Sequence, residues 1–123
     1  MKTWMITGGT GFLGQALCNQ LEAIQSLRII SVVRTGSGIA RSRAIVETGS
    51  FASSEFWKHL LLTYQPEVLI NAAGKTPPAD RESLWDANHD WLLSLFQGID
   101  ECNSPVRLIH TGSAAELGEV PER

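Results

Sequence analysis

Three glycines at three-residue spacing near the N-terminus are the feature that most restricts the fold of this 123-residue chain. Gly8, Gly11 and Gly14 follow an apolar run at residues 4–6 and lead into a helical pattern of apolar side chains. A glycine-rich turn between a strand and a helix lets the backbone approach a phosphate closely, and the first N–H groups of the helix then face the anion. The spacing is one residue looser than the common G-x-G-x-x-G form. The pattern predicts a phosphate-binding strand–turn–helix unit; a glycine-rich turn that binds nothing is the alternative.

The rest of the chain alternates predicted strands with predicted helices. The strands are predicted at residues 2–7, 28–33, 44–46, 67–71 and 106–110. The helices are predicted at residues 14–26, from Ser53 or Ser54 to Tyr64, and over one long segment, 80–102. The predicted apolar face of the first helical pattern consists of Leu13, Leu17, Leu21 and Ile24, and that of the long helix consists of Leu84, Trp91, Leu95 and Ile99. Such alternation predicts a parallel sheet with helices on both faces. Right-handed crossovers then give an α/β, Rossmann-like doubly wound sheet in the order 3-2-1-4-5, with a ligand crevice at the carboxyl ends of strands one and four.

The composition favours one globular domain over residues 1–123 and excludes several classes of partner. The chain is 43% hydrophobic and 19% charged, with a net charge of -3 and no cluster of Lys or Arg that would indicate nucleic-acid binding. No apolar run approaches the roughly 18 residues that a membrane span needs. The two cysteines, Cys18 and Cys102, lack metal-ligand spacing, so no metal site is predicted. Unpaired buried cysteines are typical of a reducing compartment, and we expect a cytoplasmic protein.

Four stretches together resemble the extended short-chain dehydrogenase/reductases, the NAD-dependent epimerase/dehydratase group. They are residues 7–14 (TGGTGFLG), 66–74 (PEVLINAAG), 86–88 (DAN) and 109–118 (IHTGSAAELG). The first resembles the family's cofactor turn, and the second its fourth strand with the small-residue turn near the cofactor's ribose. The third is similar to the family's helix asparagine, and the fourth to the segment after strand five. The resemblance covers the whole chain in the family's order.

The resemblance implies a bound nicotinamide dinucleotide. The residues that it assigns to this cofactor are Gly8, Thr10, Gly11, Phe12, Leu13, Gly14, Ala72, Ala73, Gly74, Asn88 and Thr111. Asn88 also fits a helix asparagine that bonds the backbone of the adjacent strand, and both interpretations can hold together. The family often has an aspartate after strand three for the adenine, and Ser50 takes that place here.

Arg34 follows the second strand directly and bears on the choice of cofactor. An acidic residue there would bind the ribose hydroxyls of NAD, whereas an arginine can accept the 2′-phosphate of NADP. No Asp or Glu occurs between Arg28 and Val46. The sequence therefore favours NADP(H), with NAD(H) possible and a solvated loop arginine as the alternative.

The resemblance also implies a catalytic serine. Ser113 aligns with the family's active-site serine, whose hydroxyl bonds the substrate oxygen; an ordinary turn serine is the alternative. The family's reaction needs a tyrosine that acts as acid or base, with a lysine four residues later whose charge lowers the pKa of the tyrosine while binding the nicotinamide ribose. The chain has one tyrosine, Tyr64, and Val68 stands four residues after it.

Two interpretations of the whole remain open. In the first, the chain is the N-terminal, cofactor-binding half of an epimerase, dehydratase or reductase that acts on a small molecule, and by itself it is inactive. In the second, it is a complete non-catalytic module that binds a dinucleotide for regulation or redox sensing. The substrate stays open in both. An exposed edge at strand five would also favour a homodimer.

Overall fold

Five strands, four α-helices and one π-helical turn make up the part of the chain that the computed structural model describes. This part comprises residues 1–35, 44–73, 80–103 and 105–111, with the backbone alone at 83, 84, 87 and 88. The strands are β1 (Lys2–Thr7), β2 (Leu27–Arg34), β3 (Ile45–Gly49), β4 (Val68–Asn71) and β5 (Arg107–His110). The helices are α1 (Phe12–Glu22), α2 (Ser54–Tyr64), α3 (Arg81–Trp85), the π-helical turn (Asp86–Asp90) and α4 (Trp91–Cys102).

The sheet is parallel and has the order β3-β2-β1-β4-β5. This confirms the predicted doubly wound topology. In the register of β1 with β4, Thr7 pairs with Asn71, so the carboxyl ends of these two central strands meet at one edge of the sheet. β5 lies at the end of the strand order, and the homodimer that an exposed edge would favour stays a prediction.

Successive strand residues pack into two apolar clusters on opposite faces of the sheet. On one face Met5 and Leu69 pack with Trp57 of α2 and with Trp91 and Leu95 of α4. On the other face lie the strand residues Ile6, Ile29 and Ile70, together with Cys18 of α1. Helices therefore cover both faces, as a parallel sheet requires. No helix in the described ranges combines the length and apolar character needed to cross a bilayer.

Helix α1 differs from its prediction in its bounds and in its buried face. It begins at Phe12 and ends at Glu22, whereas the prediction was 14–26. Its buried residues are Gly14 and Cys18, while Leu13, predicted on the apolar face, is 45% exposed. The reason is that Gly14 must lie against the glycine turn, which directs the Gly14–Cys18 side at the sheet. Leu13, about 100° away around the helix, is left outside.

Two further boundaries were wrong. β3 continues to Gly49 instead of ending at Val46, because its parallel pairing with β2 runs on to Arg34. The long helix predicted over 80–102 is divided into α3, the π-helical turn and α4. Trp91 and Leu95, which belong to the predicted apolar stripe, are buried on α4 as expected. Because their spacing is the same whether or not a π-helical turn precedes α4, the apolar pattern could not reveal that turn.

Tyr64, at the end of α2, joins β3 to the core through its hydroxyl, which donates a hydrogen bond to the Glu47 carboxylate. That bond, more than burial, raises the pKa of Tyr64 above its ordinary value of 10.0. A raised pKa in the folded state means that the contribution to stability is fully present below pH about 10 and is lost as the pH rises through the folded value.

We expect Tyr64→Phe to lower the free energy of unfolding by about 1 kcal/mol at pH 8, because the hydrogen bond is lost. The difference between wild type and variant should shrink above pH about 10. Urea unfolding of both proteins at pH 8 and pH 11 measures it. A difference that is equal at the two values would contradict this role of the hydroxyl.

Candidate functional site

The glycine turn between β1 and α1 is held by contacts that only glycine permits. Gly8 has φ 76°, in the left-handed region. A Cβ on Gly8 would lie 2.5 Å from the backbone carbon of Ala72 and from the nitrogen of Ala73. The N–H of Gly11 donates to the Gly8 carbonyl at 3.0 Å and closes the turn. The turn is therefore wedged directly against the backbone that follows β4.

Gly14 and Gly11 have different roles in this turn. A Cβ on Gly14 would overlap the carbonyl oxygen of Gly8, so the first turn of α1 packs backbone to backbone on the glycine turn. Gly11 is exposed and extended, with φ -83° and ψ 175°. Its Cβ would meet only the Gly8 oxygen, at an ordinary 3.4 Å. A side chain at position 11 would therefore be compatible with the fold, but it would fill the open surface of the turn.

The start of α1 is suited to an anion. The first N–H groups of a helix have no acceptor within the helix. Here Gly11, as the N-cap, offers no side-chain hydrogen bond, and the first turn of α1 contains no acidic residue. Phe12, at 96%, and Leu13 leave their side chains largely exposed, so they do not bury this end of the helix. Phosphate oxygens are the natural ligand for such a helix start. No set of three or more His, Cys, Asp or Glu side chains in the described ranges is arranged to hold a metal ion.

Asn71, the last residue of β4, ties the carboxyl ends of three strands together, although it was not among the site residues predicted from the sequence. It is 1% exposed. Its Oδ1 accepts hydrogen bonds from the Thr7 hydroxyl at 2.7 Å and from the Ala73 N–H at 3.1 Å. The backbone N–H of Ala73 can only donate, which fixes the orientation of the amide. Asn71 thus holds the backbone that Gly8 packs against. A polar residue at the end of a wholly apolar strand was the signal for it.

The other side of the Asn71 amide reaches β5. Nδ2 of Asn71 lies 2.9 Å from Nδ1 of His110; since an amide nitrogen only donates, Nδ1 accepts and carries no proton. The Asn71 carbonyl accepts from both the N–H of Thr111, at 3.1 Å, and its hydroxyl, at 2.7 Å. Thr111, predicted to line the nicotinamide side, therefore has its hydroxyl proton engaged with β4.

A pocket of about 240 Å³ lies at the carboxyl ends of β2 and β3, where Arg34 was predicted to contact the cofactor. Its lining residues are Arg34, Thr35, Gly49, Ser50, Phe51, Ala52, Asp86 and Trp91. The Arg34 guanidinium carbon lies 5.1 Å from the centre of the Phe51 ring and 6.0 Å from that of Trp91. Such cation–π contacts hold the charge in place. Arg34 and Ser50 were identified from the sequence, whereas the place of Phe51, Asp86 and Trp91 in this pocket was not.

The structure brings most of the predicted cofactor residues to one edge of the sheet. The glycine turn, Ala72, Ala73 and Thr111 are linked by the contacts above, and Arg34 stands at the carboxyl end of β2. Gly74 and Ser113 lie outside the described residues. Asn88 lies within the π-helical turn, and its side chain is also outside the description. A larger cavity of about 420 Å³, lined by Glu22, Leu27 and Ala44 among others, lies near the amino ends of β2 and β3 and away from this edge.

Comparison with known proteins identifies the family. The profile of the NAD dependent epimerase/dehydratase family matches residues 4–123. The chain belongs to this family. That confirms the resemblance drawn from the four sequence stretches.

The curated relatives are considerably longer than this chain. The dTDP-6-deoxy-L-talose 4-dehydrogenase (NAD(P)(+)) of Kitasatospora kifunensis is 29% identical over 117 residues, which cover 94% of this chain and 36% of the relative. The methionine adenosyltransferase 2 subunit beta of Rattus norvegicus is 31% identical over 83 residues, or 68% of this chain and 23% of the relative. The chain thus spans about a third or less of their lengths.

Solved structures agree on the fold. The UDP-glucose 4-epimerase of Brucella ovis in complex with NAD superposes with a TM-score of 0.85 at 20% identity, over 100% of this chain and 39% of that one. The dTDP-glucose 4,6-dehydratase of Bacillus anthracis in complex with NAD gives 0.79 at 16% identity, over 100% and 41%. At these identities the likeness shows the fold alone.

Two glycine variants separate folding from binding. We expect Gly14→Ala to destabilise the protein by about 1–3 kcal/mol through backbone overlap. We expect Gly11→Val to cost less than about 1 kcal/mol but to abolish dinucleotide binding, because the side chain fills the open surface of the turn. Thermal unfolding and titration with NADPH measure the two effects. Unchanged affinity of Gly11→Val would contradict the assignment of this turn.

Proposed function

We propose that this chain is the NAD(P)-binding part of an epimerase, dehydratase or reductase of the extended short-chain dehydrogenase type. The observation that carries the proposal is the glycine turn, where Gly8 and Gly14 are fixed by packing while Gly11 keeps the outer surface open. Membership of the NAD dependent epimerase/dehydratase family supports it. When bound, the nicotinamide dinucleotide would supply a hydride donor or acceptor.

Each proposed residue has a defined task toward the cofactor or substrate. The backbone N–H groups of Phe12 and Leu13 bind the pyrophosphate at the start of α1, and Gly11, whose N–H bonds the Gly8 carbonyl, leaves room for the phosphates. Gly8 and Gly14 shape the turn that Thr10 belongs to. The segment Ala72, Ala73 and Gly74 forms a wall of small residues beside the ribose; Asn71 supports this wall through the Ala73 N–H.

The nicotinamide end is assigned to residues around β5 and the π-helical turn. Thr111 and Asn88 line the nicotinamide side, and the Ser113 hydroxyl donates a hydrogen bond to the substrate oxygen at which hydride arrives or leaves. The relatives named above include a dTDP-6-deoxy-L-talose dehydrogenase and a UDP-glucose epimerase. Those names favour a nucleotide sugar as the substrate of the whole protein.

Tyr64 is unsuited to the family's acid–base chemistry. It ends α2, where its carbonyl accepts a hydrogen bond from Arg28 at the start of β2, at the opposite edge of the sheet from the glycine turn. Hydrogen bonding to Glu47 raises the pKa of Tyr64, whereas catalysis needs a lowered one. We therefore assign no catalytic role to it.

Arg34 supports a preference for NADP(H) over NAD(H). Its guanidinium is held over Phe51 at the carboxyl end of β2, where the ribose 2′-position of a dinucleotide lies in doubly wound sheets. It makes no ion pair with a carboxylate of the described residues. A planar guanidinium without an acidic partner is well suited to a phosphate group.

A second candidate is a non-catalytic dinucleotide-binding module. The relative named as methionine adenosyltransferase 2 subunit beta favours it, because that protein is named as a subunit of another enzyme. Both candidates share the cofactor site. They differ in whether the whole protein turns over a substrate.

The cofactor preference is tested with Arg34→Ala. We expect the variant to bind NADPH about tenfold or more weakly, because a charge-assisted hydrogen bond is lost. Its affinity for NADH should stay within about threefold. Calorimetric titration of both cofactors measures this. Arg107→Ala, which removes an exposed arginine at the amino end of β5, is the matched control. Equal loss for NADH and NADPH would contradict a role at the 2′-phosphate.

The 123-residue chain by itself should show no NADPH oxidation with sugar nucleotides or simple ketones, because it contains no tyrosine with a lysine four residues later. Absorbance at the nicotinamide band over hours measures this. Turnover that Ser113→Ala abolishes would overturn the expectation and show that the chain is catalytic without that pair.

A further inference from the structure

The π-helical turn places a carboxylate in the pocket beside Arg34. Asp86 and Trp91 both line this pocket, although five residues separate them along the chain. They are the first residue of the π-helical turn and the first residue after it. The pocket therefore takes one wall from the helical segment and the other from the ends of β2 and β3.

This arrangement depends on the π-helical geometry. In an α-helix, residues five apart point about 140° away from each other, so Asp86 and Trp91 could not both face one small pocket. A π-helix bonds each residue to the one five positions later, which brings such residues onto the same side. Single π-helical turns within α-helices are frequent at functional sites.

The pocket contains one positively charged and one negatively charged side chain, and the two differ in the ligand groups that they can bind. Arg34 lies over the aromatic rings, and Asp86 is exposed to the cavity's solvent. Neither forms an ion pair with the other or with another described residue. The cation therefore remains available to an anion, and the carboxylate, which only accepts hydrogen bonds, remains available to a donor.

We infer that Asp86 recognises the adenine base by accepting a hydrogen bond from its exocyclic amine; this inference rests on the proposed function. Ser50, which follows β3, lines the same pocket and carries no charge. Asp86 supplies a carboxylate to this pocket from the helical segment. Arg34, at the end of β2, lies on the ribose side. The 2′-phosphate would therefore meet the positive charge of Arg34, and the amine of the base would meet the negative charge of Asp86.

The test compares the affinities of NADPH and of its hypoxanthine analogue for wild type and for Asp86→Ala. Hypoxanthine carries an oxygen in place of the amine of adenine. We expect wild type to bind NADPH about tenfold or more tightly than its hypoxanthine analogue, since a hydrogen bond to a charged acceptor is at stake. Asp86→Ala should remove this preference by weakening NADPH, while binding of the analogue stays the same or improves. Calorimetric titration gives all four dissociation constants.

A neighbouring carboxylate is the control. Asp90 lies in the same π-helical turn, is exposed, and contacts His89 instead of the pocket. Asp90→Ala should keep the full preference for adenine. A preference that survives in Asp86→Ala would overturn the inference while leaving the proposed function intact. Failure of wild type to bind either dinucleotide would overturn the proposed function, and the inference with it.

Discussion

The contact of the glycine turn with its two neighbours governs the geometry of this site. Gly8 touches the backbone of Ala72 and Ala73 on one side and the start of α1, through Gly14, on the other. No side chain fits at either contact. The distance between β1, α1 and the end of β4 is therefore set by backbone atoms, which cannot adjust as side chains do. A rigid turn at the centre of the sheet follows from this packing.

Asn71 extends that rigidity across the carboxyl edge. Its side chain and carbonyl join the last residues of β1 and β5 to the wall behind Gly8. Each of these polar groups has a hydrogen-bond partner in the network, so a buried asparagine is tolerated here and orients its neighbours. The network also fixes Thr111, two residues before Ser113. Asn71 in this way positions the backbone beside the glycine turn through its side chain and Thr111 through its carbonyl.

Local sequence patterns predicted only some of the residues that line the pocket beside Arg34. Arg34 was recognised because it directly follows a strand, which is a local property. Asp86 and Trp91 reach the pocket through a π-helical turn and through the packing of α4 on α2. The spacing of apolar residues on α4 is the same with or without that turn further upstream. The burial of Trp91 was therefore predicted correctly, and its place beside the pocket was not.

The sequence by itself determined the strand–helix alternation, the sheet order and the glycine turn. Strand and helix periodicity, crossover handedness and the need for small residues are local or general rules. The direction of α1, the division of the long helix, and the roles of Asn71 and Asp86 were decided only in three dimensions. They depend on which backbones touch and on which distant residues share a pocket. No periodic pattern of residues in the sequence predicts contacts such as Gly14 with Gly8 or Asn71 with His110, because these contacts form only when separate elements pack.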